Sequence, residues 1–316
     1  MMMQIIEKRG NPELAEIFVA KLREKTDALV EFVDAIDPRY SRDEKWVITV
    51  STQFGCPVKC LICDAGRFFA GNLTEEEIIG EIDYVLKRRF PDGVVQCRKF
   101  KIHFARMGEP ALNPSVLNVL EKLPFLYNAP GLIPCIPTIA PLSASQWFEK
   151  LLDIKRRLYQ NGHFQLQFSI NSTDEKVRDI IMPVRKWNFE KISEFGQRWF
   201  ESGDRKVVLN FALAHDIPVD PGVIKEYFSP DCFMVKLTPV NPTWNAQKNG
   251  YNTVICSSNP NGASHLVRAL QHFGFDCVVS IGDEREIEIG SNCGQAASLV
   301  MERENSVKFE GVENGN

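Results

Sequence analysis

The chain has 316 residues, of which 44% are hydrophobic and 25% charged, as in an ordinary globular protein. Collagen-like, disordered and disulfide-scaffold chains are therefore excluded. The formal net charge is -4, so no overall positive field predicts nucleic-acid binding. No apolar run approaches the roughly 18 residues of a membrane-spanning helix, and the start lacks a signal-peptide layout, so we expect a cytoplasmic protein. Its nine cysteines then predict metal binding or thiol chemistry rather than disulfides.

The pattern along the chain predicts a short N-terminal extension, one main domain and a loose tail. Residues 1–26 are predicted as the extension, with a helix over about residues 12–26. A strand from Leu29 to Val33 opens the main domain, which covers residues 27–300. Residues 301–316 are polar and are predicted to form a flexible tail.

Within the main domain, short apolar runs alternate with amphipathic stretches, which is typical of repeated βα units. The predicted strands are residues 46–53, 99–106, 132–139, 164–170, 206–213 and 232–239, with a shorter one at 276–281. The clearest helix start is Thr74, because Glu77 stands three residues later and completes a capping box. Six such units favour a partial (βα)6 TIM-like barrel, and a doubly wound sheet is the alternative α/β topology.

The strongest local signal is a group of three cysteines, Cys56, Cys60 and Cys63, directly after the first of these strands. In a barrel this position lies on the active face. Soft sulfur ligands select iron-sulfur clusters, zinc or copper(I). A 4Fe-4S cluster normally takes four cysteines, so a local set of three leaves one iron free to hold another ligand. The alternative is a structural zinc site completed by a distant cysteine or histidine.

This C-x3-C-x2-C string resembles the signature of radical S-adenosylmethionine (SAM) enzymes. The wider sequence is similar to one branch of that superfamily, the RlmN/Cfr-type adenine methyltransferases, over about residues 29–297. The matching segments, in order, are residues 50–56 (VSTQFGC), 72–73 (NL), 107–113 (MGEPALN), 169–172 (SINS), 181–183 (IMP), 237–242 (LTPVNP) and 292–295 (NCGQ). The resemblance implies the radical SAM partial barrel, with a 4Fe-4S cluster held by the three cysteines and SAM bound to the fourth iron.

The resemblance also implies which residues bind SAM. Gly108 allows close backbone approach, and Glu109 offers a carboxylate to the SAM ammonium. Ser169, Asn171 and Asn241 lie at predicted strand ends where family positions touch SAM, and Thr138 is a further candidate. The alternative for Gly108 and Glu109 is a simple turn. The alternative for the serine and asparagines is local turn hydrogen bonding.

Two catalytic residues follow from the same resemblance. Cys293 occupies the position of the family cysteine that is first methylated and then hands its one-carbon unit to adenine. Glu31 stands where the family carries a carboxylate thought to remove a ring proton. The alternatives are a buried structural cysteine and an exposed glutamate on a strand. The chain between Glu31 and Thr49 is about five residues longer than is usual in the family.

Other departures concern product release and the substrate. A second family cysteine, seven residues ahead of the first cluster cysteine, resolves the covalent adduct, and here that position is Thr49. A hydroxyl cannot form the disulfide that releases the product. Cys97, Cys135 and Cys277 are the thiols considered as substitutes. The family's RNA-binding extension is reduced to about 26 residues, and Asn171 replaces a family histidine.

The expected function is therefore transfer of a one-carbon unit to a substrate carbon, with adenine in RNA as the inherited substrate. The alternative keeps cluster, SAM and radical but modifies a nucleotide, a peptide or another small molecule. A non-catalytic, metal-stabilised binding module is a third possibility. An electron donor such as flavodoxin or ferredoxin is the expected partner, and no membrane is expected.

Overall fold

A computed structural model describes residues 3–24, 28–37 and 39–303. Ten strands form one sheet in the order β1-β2-β3-β4-β7-β8-β9-β10-β11-β12, and β5 and β6 form a separate hairpin. The strands are β1 (Gln4–Asn11), β2 (Ala15–Lys21), β3 (Leu29–Ile36), β4 (Trp46–Thr49), β5 (Gln53–Gly55), β6 (Phe69–Asn72), β7 (Phe100–His103), β8 (Leu132–Thr138), β9 (Gln165–Ser169), β10 (Val207–Leu213), β11 (Phe233–Pro239) and β12 (Cys277–Val279).

The main part of the sheet is parallel, and its strands follow chain order. Strands β4 and β7 to β12 pair in parallel, each with the next one along the chain. In a doubly wound sheet the spatial order of the strands would reverse at a switch point. No such reversal occurs among the described strands, so that alternative is wrong. Strands β1 and β12 lie at opposite ends of the strand order in the described residues. The domain is the predicted α/β partial barrel with a TIM-like arrangement.

The helices between and after these strands are α1 (Glu75–Lys87), α2 (Ser115–Leu126), α3 (Ser145–Leu158), α4 (Glu175–Ile181), α5 (Phe189–Trp199), α6 (Pro221–Tyr227), α7 (Trp244–Lys248), α8 (Ser264–His272) and α9 (Glu284–Glu288), followed by a helix over residues 295–303. Helices α1, α2, α3, α5, α6 and α8 pack on the outer face of the sheet, whereas α7 and the last helix pack on the concave side. The predicted capping box is confirmed: Thr74 Oγ1 accepts from the Glu77 backbone N–H, and the Glu77 carboxylate accepts from the Thr74 backbone N–H. No helix in the described ranges is long and apolar enough to cross a membrane.

The prediction of a helix over residues 12–26 is wrong, because this part of the chain contains a strand. Strand β2 pairs antiparallel with both β1 and β3. Its two faces lie in different cores: Phe18 packs beneath the helices, whereas Ile17 and Val19 pack on the concave side. A strand buried on both faces is apolar throughout and loses the alternation that marks a half-exposed strand. Residues 1, 2, 25 and 26 of the predicted extension lie outside the described residues.

Both ends of the described chain carry regular secondary structure at the predicted domain limits. The β1–β2 hairpin continues the sheet of the main domain through β3. At the other end, residues 301–303 belong to the last helix, and the rest of the predicted tail, residues 304–316, lies outside the described residues.

Two hydrophobic cores organise the site. The larger lies between the sheet and the outer helices and includes Trp46, Phe100 and Phe211. The second lies on the concave side of β2 and β3 and contains Cys56, Met107 and Met182, together with Ala296 and other residues of the last helix. The second core therefore brings the cysteine loop and the end of the chain together.

Candidate active site at the carboxyl ends of the parallel strands

The cysteine loop leaves the barrel through the β5–β6 hairpin, and its backbone is tightly constrained. The Cys56 backbone N–H donates to Phe68 O at 3.1 Å. Gly55 has φ +78°, and a Cβ there would lie 1.9 Å from Phe68 O, so only glycine fits. Lys59 also has positive φ, at 56°. The three cysteines therefore lie on a closed turn of fixed shape.

Residues after β11 hold this loop from the other side, and sequence reasoning missed them. The buried carboxylate of Asp64 accepts from the Asn245 backbone N–H at 2.9 Å. Asn245 Nδ2 donates to Cys63 O at 2.7 Å, and Thr243 Oγ1 donates to Ile62 O at 3.1 Å. The available signal was weak: an acidic residue directly after the last cysteine, and a threonine just beyond the strand-end motif.

The three thiols share one buried environment with Cys293. Burial raises the pKa of Cys56 to about 12 and the pKa of Cys60 further still. The pKa of Cys63 is also raised, first by burial and then by repulsion from ionised Cys293, Cys60 and Cys56. Thiolates crowded in a buried site need a bound cation to offset their charge, which is what a metal centre provides.

The donor set fits an iron-sulfur cluster. No three His, Cys, Asp or Glu side chains are arranged to hold a single metal ion in residues 3–24, 28–37 and 39–303. A cluster contains several irons, so its thiolates need not meet at one ion. Cys56, Cys60 and Cys63 are the residues that could hold such a cluster.

Next to the loop lies the Gly-Glu-Pro turn, which is not an isolated surface turn. Gly108 has φ +105°, and a Cβ there would lie 2.5 Å from Thr52 Oγ1. Burial raises the pKa of Glu109 to about 7, although Thr138 Oγ1 donates to its carboxylate at 2.5 Å and the Ile139 backbone N–H donates at 3.0 Å. The structure thus joins Glu109 and Thr138, which lie on neighbouring parts of the barrel.

The remaining predicted SAM residues are placed differently. Ser169 is half-buried at the end of β9, opposite Asn210 of β10. Asn171 has φ 62°, accepts from the Ala212 backbone N–H at 3.2 Å, and approaches the Met182 sulfur. Its side chain is therefore engaged in local bonding. Asn241 is exposed beyond β11. Both asparagines lie at strand ends, as the sequence pattern predicts.

Cys293 is held against the cysteine loop. Its backbone O accepts from Cys63 Sγ at 3.8 Å, and its own Sγ donates to Ala105 O at 3.2 Å. A Cβ on Gly294 would lie 2.2 Å from Ala65 N, so the two loops are in direct backbone contact. Burial raises the pKa of Cys293 above that of a free thiol. The two cysteine motifs, 230 residues apart, form one site.

Glu31 is fully buried, so the alternative of an exposed glutamate is wrong. Its Oε1 accepts from the Gly294 backbone N–H at 2.6 Å, and its Oε2 accepts from Ala297 N–H at 2.9 Å. Arg106 Nε lies 2.8 Å from Glu31 Oε1. Arg106 was not expected from the sequence, where a basic residue at the end of a buried strand was the only signal. Glu31 therefore anchors the loop that carries Cys293.

Thr49 lies on the concave face of β4, where its register partners are Val33 of β3 and His103 of β7. Of the thiols considered as its substitutes, Cys135 lies next to His103 on β8. Cys97 precedes β7, and Cys277 begins β12. Of these three thiols, Cys135 is therefore in register with Thr49, and His103 lies between them.

Comparison with known proteins is consistent with these observations. No family model matches the chain. It is 25% identical to a probable dual-specificity RNA methyltransferase RlmN of Saccharopolyspora erythraea, covering 81% of this chain and 68% of the relative. It is 26% identical to the same kind of protein from Thermosipho melanesiensis, covering 90% and 79%. A ribosomal RNA large subunit methyltransferase N of Nitrosopumilus maritimus is 24% identical, covering 80% and 68%.

A solved structure supports the fold. The crystal structure of a radical SAM methyltransferase from Sphaerobacter thermophilus matches with a TM-score of 0.71 at 17% identity, over 93% of this chain and 80% of that one. The chain is an RlmN/Cfr-like radical SAM enzyme. This RlmN/Cfr-like enzyme brings the predicted cluster cysteines, Glu109, Thr138, Cys293 and Glu31 into one neighbourhood. A family of this kind implies SAM and a 4Fe-4S cluster, and the residues present fit both.

Proposed function

We propose that the chain transfers a methyl group to a carbon of an adenine base in RNA. The observation that carries this proposal is the contact between Cys63 and Cys293. That contact joins the Cys63 thiol to the Cys293 backbone oxygen, and it supports a role for Cys293 beside the cysteines that would hold the cluster. A purely structural metal site has no need of such a neighbour. The names of the relatives, RNA methyltransferases, support RNA as the substrate.

Cys56, Cys60 and Cys63 would hold the cluster, and Glu109 would hold the SAM ammonium. When bound, the cluster and SAM would supply the one-electron chemistry and the methyl group. Thr138 orients the Glu109 carboxylate through its hydroxyl. Ser169, Asn171 and Asn241, at strand ends, are proposed as further polar contacts of SAM.

Cys293 would carry the one-carbon unit on its sulfur. The Gly294 and Ala297 backbone N–H groups and Arg106 engage the Glu31 carboxylate on both oxygens. These contacts favour a positioning role for Glu31: it fixes the first turn after Cys293, so that the thiol faces the cysteine loop. A target base would have to leave its stack to reach this thiol.

A second candidate function is favoured by Thr49. Without a thiol at that position, the adduct on Cys293 is not released by a disulfide there. The candidate keeps the cluster and SAM but modifies a nucleotide, a peptide or another small molecule, with Cys293 as hydrogen donor or adduct site. The two functions differ in whether RNA acquires a methyl group.

Anaerobic reconstitution tests the shared part of both functions. We expect a brown protein with about four irons, the number in a 4Fe-4S cluster, and SAM cleavage to 5′-deoxyadenosine after reduction. Flavodoxin, ferredoxin and dithionite serve as alternative reductants. Serine in place of Cys56, Cys60 or Cys63 should abolish iron binding, whereas Cys256→Ser, at a thiol that contacts Ser258, should not. One bound zinc without SAM cleavage would overturn the proposal.

Mass spectrometry then tests the methyl transfer. After incubation with SAM, the peptide that contains Cys293 should gain a methyl group, and the Cys293→Ala variant should leave RNA unmodified. An unmodified Cys293 in a protein that cleaves SAM would count against methyl transfer and in favour of the second candidate. Methylated adenine in RNA would confirm the first.

A further inference from the structure

The concave face of the barrel carries a group of polar side chains, of which the reaction described above involves only Thr49 and its possible substitute Cys135. On β7, Phe100 and Ile102 belong to the outer core, so the alternate residues Lys101 and His103 face inward. On β11 the same alternation turns Lys236 inward. We name the inward-facing residues Thr49, Lys101, His103, Cys135, Asn210 and Lys236 the barrel lumen.

Strand register joins these residues into one surface. His103 pairs with Thr49 on one side and with Cys135 on the other. Farther along the sheet, Asn210 of β10 pairs with Lys236 of β11. Side chains of directly paired residues lie side by side on one face of a sheet. Lys101, His103 and Lys236 are also close enough to influence one another electrostatically.

The two lysines have no counter-ion among residues 3–24, 28–37 and 39–303. Neither ammonium makes an ion pair or a hydrogen bond with any residue in the described part of the chain. After burial, the groups with the largest electrostatic effect on the pKa of Lys101 are the Cys135 thiol, which raises it, and Arg205, Lys45 and Lys99, which lower it. Burial lowers the pKa of both lysines, and the charge of Lys45 lowers it further in each case. Two half-buried ammonium groups without a carboxylate partner are suited to an anionic ligand.

Two further lumen atoms are buried without a partner. His103 Nε2 and Asn210 Oδ1 make no hydrogen bond within the described residues. Burial lowers the pKa of His103 well below its usual range, so its ring is neutral and one nitrogen carries a proton. An orphaned buried polar atom costs about 1–3 kcal/mol, and several together point to a bound ligand or water.

We propose that the barrel lumen binds a phosphate group between Lys101 and Lys236. A dianion offsets both ammonium charges, which a singly charged carboxylate does not. His103 Nε2–H would donate to a phosphate oxygen. Asn210 Oδ1 is an acceptor, and it would take the proton of a hydrogen phosphate, which sulfate lacks at neutral pH. The donors and the acceptor thus suit phosphate in particular.

The site is independent of the proposed methyl transfer. It uses none of the cluster cysteines, and its occupation is measurable without SAM or turnover. The phosphate has two possible sources, the free ion and the terminal phosphate of a nucleotide. Both present the same oxyanion to the lysines.

Equilibrium dialysis of the reconstituted protein with radiolabelled inorganic phosphate tests the proposal. We expect one saturable site in chloride buffer, with sulfate a weaker competitor. Lys101→Met or Lys236→Met should weaken binding by about tenfold or more, since each removes a charge-assisted contact. Lys150→Met, at an exposed lysine on α3, is the matched control and should bind as the wild type does.

Thermal unfolding provides the second measurement. Phosphate should raise the midpoint of the wild type and of Lys150→Met, but not that of either lumen variant. Without phosphate, the lumen variants should be at least as stable as the wild type, because each removes an unpaired cation from the interior. Absence of saturable binding, equal binding by the lumen variants, or equal competition by sulfate would overturn the proposal. Competition by adenosine 5′-monophosphate would identify a nucleotide as the source, and its absence the free ion.

Discussion

Arg106 Nε lies 2.8 Å from Glu31 Oε1, and both side chains are buried beneath the loop that carries Cys293. Arg106 Nη1 also donates to Ser291 O at 2.9 Å, two residues before that cysteine. The pair therefore holds the loop from both sides: Glu31 binds the backbone after Cys293, and Arg106 binds the backbone before it.

Breaking this pair should destabilise the protein strongly. Glu31→Gln leaves the Arg106 charge buried without compensation, and we expect a loss of about 3–5 kcal/mol in the free energy of unfolding. The double variant Glu31→Gln/Arg106→Gln removes both charges and should lose less than the sum of the single changes. Denaturant unfolding of the four proteins measures the coupling. Additive losses would contradict a direct interaction.

A positioning role for Glu31 also has a chemical signature. In Glu31→Gln the loop is released, so the Cys293 thiol should react faster with iodoacetamide than in the wild type. A general base without a positioning role would leave that rate unchanged.

Glu109 should make stability depend on pH. Its pKa is raised from 4.5 to about 7 by burial, so the folded protein binds the proton more tightly than the unfolded chain. Stability should therefore fall as pH rises from 4.5 to about 7, by about 3 kcal/mol, and level off above that range. Unfolding of SAM-free protein across this range, compared with Glu109→Gln, measures the effect. Parallel curves for the two proteins would contradict it.

Thr138 should influence the pH at which the loss of stability caused by ionisation of Glu109 is complete. Its hydroxyl donates to the ionised Glu109 and so lowers the pKa of that carboxyl. In Thr138→Val the pKa of Glu109 should rise, and the fall in stability should extend to higher pH. The same pH series measures this shift, and an unchanged pH range would show that the hydrogen bond is unimportant.

Gly294 should be required for docking of the Cys293 loop. With φ +80° and a Cβ that would lie 2.2 Å from Ala65 N, alanine forces the two loops apart. We expect Gly294→Ala to lose methylation of Cys293 while the cysteine loop still binds iron. Gly71→Ala is the matched control, because Gly71 also has positive φ, at 112°, but no atom within 4 Å of the added Cβ. If both variants lose methylation of Cys293 to the same extent, backbone strain rather than the contact between the two loops causes the loss.

Thr49→Cys should increase release of methylated RNA. A thiol on the concave face of β4 can form the disulfide that a hydroxyl cannot. We expect the wild type to accumulate a modified Cys293 and the variant to turn over, as measured by mass spectrometry of protein and RNA. Thr49→Ser should behave as the wild type. Equal turnover by all three proteins would show that another residue releases the product, and Cys135, level with Thr49, is the first to replace.

Local patterns in the sequence predicted the elements of the barrel well. The capping box at Thr74 and Glu77 and the alternation along β7 to β11 involve residues only a few positions apart, so their physics is contained in the sequence. The N-terminal hairpin was missed because β2 is buried on both faces, which depends on the last helix and other distant residues that cover it.

The sequence alone predicted the βα units and the three cysteines directly after the first strand of the parallel part, because a strand, its turn and the ligands that follow are consecutive in the chain. The tertiary structure was needed to show that Cys63 contacts Cys293, that Arg106 pairs with Glu31, and that Lys101 and Lys236 lie close enough to repel each other with no counter-ion in the described part of the chain. These relationships join residues 75 to 230 positions apart, and they are created by the closure of the sheet. No local preference encodes which side chains that closure brings together.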